Sequence, residues 1–229
     1  MIYKNVRIGI FRSRPNRFVA NVELDGEMCV VHVKNTGRCQ ELLFDGVRVA
    51  VATSDNVNRK TKYDLISVYR EDYGWINIDS QVPNILVNDW LSGGSSPFTG
   101  ITFMNPEFEY GQSRLDFYFE QDGVPSLMEV KGCTLAKYGI GYFPDAPTER
   151  GLRHIEELIG AASEGINAYI TFVIQINSVD YCMPNREMQP EFADALVRAV
   201  GAGVKILFIR CDVGADRIEV RNHHIIEWL

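Results

Sequence analysis

Residues 113–134, SRLDFYFEQDGVPSLMEVKGCT, decide how the rest of the chain is read. Leu115, Phe117 and Phe119 alternate with Arg114, Asp116, Tyr118 and Glu120, the two-residue period of a half-buried strand. Farther on, Met128 and Val130 alternate with Leu127, Glu129 and Lys131. Asp-Gly is a preferred two-residue hairpin turn, and if Asp122-Gly123 is that turn, paired residues have numbers that sum to 245. Asp116 then faces Glu129, and Arg114 faces Lys131. Pro125 removes a ladder donor just after the turn and leaves a shifted register open.

Two carboxylates directly across a strand pair repel one another unless positive charge lies between them. Cross-strand Cβ atoms stand roughly 4.5–5.5 Å apart, within reach of one hard divalent cation that prefers oxygen ligands. Lys131, two residues beyond Glu129 on the same face, brings an ammonium to that point. An Asp followed by Glu-x-Lys on the next strand is the arrangement of metal-dependent nucleases, in which a metal-bound water attacks a phosphodiester. The structural alternative is a solvent-facing hairpin with an ordinary Glu-Lys pair.

At 229 residues, 46% hydrophobic and 23% charged, the composition is that of an ordinary globular protein of one large or two modest domains. Five cysteines, odd in number and never in a Cys-x-x-Cys pair, read as reduced thiols of a cytoplasmic protein. No basic-plus-apolar leader and no apolar run near 18 residues points to a membrane. The net charge of −7 is unevenly spread: residues 1–62 carry 11 Lys+Arg against 6 Asp+Glu, a net of +5, and the remainder a net of −12. A polyanion is best met at the basic N-terminal end.

In that region short β runs follow one another at 5–12, 17–24, 27–33, 47–53, 62–69 and 74–78, with Asp25-Gly26 as a further hairpin turn. Such spacing with little helix suggests a small barrel, of which an OB-like barrel of five strands is one form. Arg14, Arg17, Lys34, Arg38, Arg59 and Lys60 stand among Phe11, Phe18, Tyr63 and Tyr69, a mixture that can track a phosphate backbone and stack bases. The alternative is that the aromatics fill the barrel and the charges are solvated. His32, between Val31 and Val33, reads as a hydrogen-bonded structural histidine.

Residues 79–110 read as a connector holding one short helix, Ile85–Leu91, opened by Pro83-Asn84 and closed by Gly93-Gly94. Glu107 and Glu109 are two candidates for a further acidic group. After the hairpin the pattern turns α/β: a helix from Pro147-Thr148 to Ser163, an apolar strand at 168–176, a helix at 191–202 and an apolar strand at 204–211, implying a sheet covered on both faces. The domains are expected as 1–80, a β-barrel, and 81–229, an α/β unit.

Six motifs in order, RPNRF at 14–18, HVKNTGR at 32–38, RKTKYDL at 59–65, SRLDF at 113–117, EVKGCTL at 129–135 and FPDAPTERG at 143–151, resemble the bacterial sugar fermentation stimulation protein family. The resemblance implies an OB-like domain followed by a PD-(D/E)xK, restriction-endonuclease-like mixed sheet flanked by helices. It implies DNA as partner, with RNA and single strands left open, and a link to maltose and sugar metabolism. Asp116 and Glu129 match the metal-binding carboxylates, for Mg²⁺ or Mn²⁺, and Lys131 the lysine of the motif. Leu115 stands where the literal motif has proline. Asp145, Thr148, Arg150 and His154 are candidates for the same cleft, the alternative being a capped helix start.

Two functions are therefore in play: a metal-dependent phosphodiesterase using Asp116, Glu129 and Lys131, and a non-catalytic DNA-binding regulator of sugar metabolism genes. A sugar-metabolising enzyme has no nucleotide-binding glycine loop to support it.

Overall fold

The computed structural model describes residues 1–35, 37, 39–54, 59–94 and 96–226. Five strands close a barrel: β1 (Val6–Asn16), β2 (Val19–Leu24), β3 (Glu27–Val33), β4 (Arg48–Thr53) and β5 (Tyr63–Arg70). β1 runs antiparallel between β2 and β4, β2 pairs β3 and β4 pairs β5. The ring closes through a short parallel contact, His32↔Asp64 and Val33↔Leu65. This is the OB-like arrangement, filled by Val22, Leu24, Val31, Val33, Val49, Val51 and Leu65. His32 Nδ1 lies 2.9 Å from Asp64 Oδ1 at the closure, the structural role expected of it. β6 (Gly74–Asn77) extends the barrel sheet beside β5.

The chain then forms α1 (Val82–Ser92), β7 (Ile101–Tyr110), β8 (Ser113–Gln121), β9 (Val124–Cys133), β10 (Leu135–Lys137), β11 (Ile140–Phe143), α2 (Glu149–Ser163), β12 (Asn167–Ile174), β13 (Cys182–Pro184), α3 (Pro190–Gly201), β14 (Lys205–Val213) and β15 (Ile218–Ile226). A six-stranded sheet has the order β15-β14-β12-β9-β8-β7. Its central strands β9, β12 and β14 are parallel and its outer strands antiparallel. β10, β11 and β13 form a separate small sheet.

Helices cover both faces. Val82, Leu86, Val87 and Trp90 of α1 pack with Phe117, Phe119, Met128, Val130 and Tyr169. Ile155, Leu158 and Ala161 of α2 and Phe192 and Leu196 of α3 pack with Leu115, Leu127, Ile170 and Phe172 on the opposite side. The strand around Asp116 is therefore not half-buried: Leu115, Asp116 and Phe117 are all buried. The two Asp-Gly hairpin turns, β2–β3 and β8–β9, have positive φ at both positions, Asp25 and Gly26, Asp122 and Gly123, as type I′ hairpin turns require.

Residues 101–110, expected within a connector, are the edge strand β7, and β15 is an edge strand that no periodic pattern announced. Pro106 is tolerated in β7 because an edge strand needs no donor on its outer side. Among the described residues no helix is long and apolar enough to cross a membrane, and all five cysteines are free thiols.

Candidate functional site

The β8–β9 ladder runs from Gln121↔Val124 to Phe117↔Met128, the expected register, which places Asp116 one step beyond the last rung and level with Glu129. There a side chain replaces the rung: Asp116 Oδ2 accepts the Val130 N–H at 2.7 Å. Its other oxygen, Oδ1, accepts Asn84 Nδ2 of α1 at 2.7 Å. Gly132 makes that approach of α1 possible, since a Cβ there would stand 3.0 Å from Pro83 Cγ and collide with Gln175.

Glu129 is 2% exposed. Lys131 Nζ and His154 Nδ1 both close on its Oε1. Arg150 Nε donates to His154 Nε2 at 3.3 Å, which leaves His154 Nδ1 facing Glu129. Glu129 Oε2 is buried and has no partner. Burial and the Glu129 charge push the Asp116 carboxyl up from 3.8 to about 6, against the pull of the Val130 amide, Lys131 and Asn84. Burial acts the same way on Glu129, but His154 and Lys131 outweigh it and hold that carboxyl below its usual range. Two buried carboxylates thus share one site, the first protonating readily and the second fixed as an anion.

Asn84, Asp116, Glu129 and Lys131 line a cleft of about 370 Å³ that also takes in Ser80, Glu107, Arg114, Thr148 and Arg150. Glu107 belongs to this cleft, whereas Glu109 lines the neighbouring one with Arg153 and His154. Thr148 caps α2, its Oγ1 accepting the Gly151 N–H at 2.9 Å, which aims Arg150 and His154 of the first turns at the carboxylates. Asp145 is not brought to the cleft wall: its Oδ2 lies beside Gly37.

The donor set fits a hard divalent cation. The orphaned Glu129 Oε2 is a buried acceptor that needs positive charge, and Asp116 is the second oxygen donor in the same cleft. Among the described residues no group of three or more His, Cys, Asp and Glu side chains gathers to hold a metal. With the side chains as they stand, a cation held here would have the two carboxylates as its protein ligands, and water would complete its shell.

Three of the six basic residues picked from sequence are occupied. Arg14 donates to Gly37 O at 2.8 Å, Arg17 O at 2.9 Å and Asn35 O at 2.6 Å, bracing a loop. Lys34 Nζ is 2.6 Å from the fully buried Asp79, and Arg59 is 2.8 Å from Asp64. Arg17 and Lys60 are exposed, with Arg17 4.8 Å over the Phe18 ring. Arg38 lies outside the described residues. The spent cations share a cause: each answers a carboxylate that the fold draws away from solvent, Asp79 or Asp64, or backbone carbonyls, as Arg14 does.

Sequence reading missed Asn84 as a partner of Asp116; it lies in a helix of unremarkable pattern 32 residues away, and no local signal marks it. It also gave Arg114 no role in the site.

Residues 13–78 match the SfsA N-terminal OB domain, and residues 81–217 match the sugar fermentation stimulation protein RE domain. The chain is 50% identical over 222 residues to a sugar fermentation stimulation protein homolog of Ruminiclostridium cellulolyticum, covering 97% of each chain. It is 48% identical to one of Desulfitobacterium hafniense over 219 residues, 96% of this chain and 95% of that one. Among solved structures it resembles Pyrococcus furiosus SfsA in complex with Ca²⁺, with a TM-score of 0.86 and 27% identity, over 97% of this chain and 96% of that one. With matches to both domains and relatives of this identity along nearly its whole length, the chain belongs to the sugar fermentation stimulation protein family.

Proposed function

We propose that this chain binds DNA and hydrolyses phosphodiester bonds with the help of a divalent cation, Mg²⁺ or Mn²⁺, held by Asp116 and Glu129. The observation that carries the reading is Glu129 Oε2, a buried carboxylate oxygen without a partner, beside a second buried carboxylate. The Ca²⁺ complex of the Pyrococcus relative supports a divalent ion in this fold. When bound, such a cation supplies positive charge to the phosphoryl oxygens and makes a bound water more acidic. Lys131, held on Glu129 Oε1, positions the attacking water and offsets charge on the phosphate. Arg150 and Arg114, on the cleft wall, hold non-bridging oxygens of the scissile group. Asn84 keeps Asp116 turned toward Glu129.

The test is incubation of Mn²⁺-loaded or Mg²⁺-loaded protein with duplex, single-stranded and structured DNA and RNA. Cleavage that disappears in Lys131→Ala and Asp116→Asn is expected, and products indistinguishable from those variants would sink the reading.

A second reading, a DNA-binding regulator of sugar metabolism genes that does not cut, has the exposed Arg17–Phe18 pair in its favour. It requires salt-dependent binding that Asp116→Asn leaves intact.

A further inference from the structure

Glu107 and Arg114 pair diagonally across β7 and β8, where Arg114 lies opposite Glu109 in the ladder. Arg114 Nε and Glu107 Oε2 are 2.8 Å apart, and both side chains line the cleft of Asp116 and Glu129. Glu107 falls between the rungs Pro106↔Phe117 and Phe108↔Leu115, level with Asp116. It turns there with φ of +56°, a conformation rare for glutamate. Arg114 also lines the adjoining cleft with Arg150 and Arg153, so Arg114 and Arg150 form a wall common to both hollows. Glu107 thus neutralises one of the arginines that a phosphodiester chain would need, at the mouth of a site whose buried floor presents an unpartnered carboxylate oxygen.

We infer that Glu107 and Arg114 exchange partners on loading: Glu107 turns from Arg114 to become the third carboxylate around the divalent cation, and Arg114, released, takes a backbone phosphate of the nucleic acid. This rests on the metal-dependent reading above and deepens it. The pair is solvent-accessible, with about half of each side chain exposed, so its separation costs little, whereas a third anion strengthens retention of a hard cation. The exchange makes cation binding and phosphate binding mutually supportive, since each removes the other's competitor.

The experiment is Mn²⁺ binding by calorimetry and electron paramagnetic resonance on the full chain, without nucleic acid, for wild type, Glu107→Gln, Arg114→Ala and the double variant. Glu107→Gln is expected to weaken Mn²⁺ about tenfold, the scale on which supporting residues tune metal sites. Arg114→Ala is expected to strengthen it severalfold, and that gain should vanish in the Glu107→Gln background, because Arg114 acts by holding Glu107. In a second arm, affinity for a short DNA duplex should rise with Mn²⁺ in wild type and not in Arg114→Ala. Equal Mn²⁺ affinity of wild type and Glu107→Gln, or an undiminished gain in the double variant, overturns the exchange while leaving the two-carboxylate site standing. Absence of Mn²⁺ binding to wild type overturns both.

Discussion

Asp116 Oδ2 accepts the Val130 N–H at 2.7 Å, so a carboxylate does the work of a strand carbonyl next to Glu129. The arrangement places a second anion where burial already disfavours one. Asp116→Asn keeps the acceptor for Val130, and the Asn84 amide can rotate to present its oxygen, so the fold loses little while the repulsion is removed. We expect the metal-free variant to gain on the order of 1–3 kcal/mol at pH 7–8, following from a carboxyl raised from 3.8 to about 6, and to lose divalent-cation binding. Urea denaturation with Mn²⁺ titration reads both; a destabilised apo variant contradicts the electrostatic account.

The same carboxyl sets a pH dependence. A folded pKa of about 6 above an ordinary 3.8 means the native chain holds an extra proton between those values, so this group's contribution to metal-free stability is present at low pH and is lost as pH rises toward 6. Cation binding runs the other way, because a ligand must be deprotonated. Mn²⁺ affinity should be level above about pH 7 and fall about tenfold per unit below 6. A titration series from pH 5 to 8 checks this, and a flat profile removes Asp116 from the ligand set.

The hairpin was legible because its signals are local: alternation on either side of an Asp-Gly turn fixes a register, and the register brings Asp116, Glu129 and Lys131 together. The start of α2 was legible for the same reason, Thr148 being a cap within reach of its own helix. Burial of the site was not, since α1 and α2 reach it from outside the hairpin. The edge strands escaped notice because β7 and β15 bury no regular face. The basic cluster misled where charge count stood in for geometry: Lys34 answers Asp79, a carboxylate 45 residues away that only folding brings near.

Those internal partners separate two sorts of basic residue. Arg17→Gln with Lys60→Gln should leave the melting temperature within a degree or two while weakening DNA binding and flattening its salt dependence by about one unit of log-log slope per lost phosphate contact. Arg14→Gln and Lys34→Gln should lower the melting temperature, since they strip the donor from the Asn35 and Gly37 carbonyls and leave Asp79 buried without its cation, a loss of about 2–4 kcal/mol for the latter. Thermal scans with fluorescence anisotropy at several salt concentrations resolve the two groups. If Arg17 and Lys60 move stability instead of binding, the exposed surface is not the DNA contact.

Gly132 carries the link between α1 and the site. A Cβ there meets Pro83 Cγ at 3.0 Å and collides with Gln175, whose Nε2 donates to Asn77 Oδ1 at 2.9 Å and Asp79 O at 3.2 Å. Gly132→Ala therefore displaces Gln175 and shifts the Pro83 end of α1 by a few tenths of an ångström, enough to loosen the Asn84 contact with Asp116. We expect a loss of roughly 1–3 kcal/mol from overpacking together with weaker Mn²⁺ binding, although no cation ligand is altered. Gly160→Ala is the control: that helical position has open space around it, and alanine there should add up to about 1 kcal/mol without touching the site. Should Gly132→Ala bind Mn²⁺ as wild type does while losing stability, Asn84 does not position Asp116.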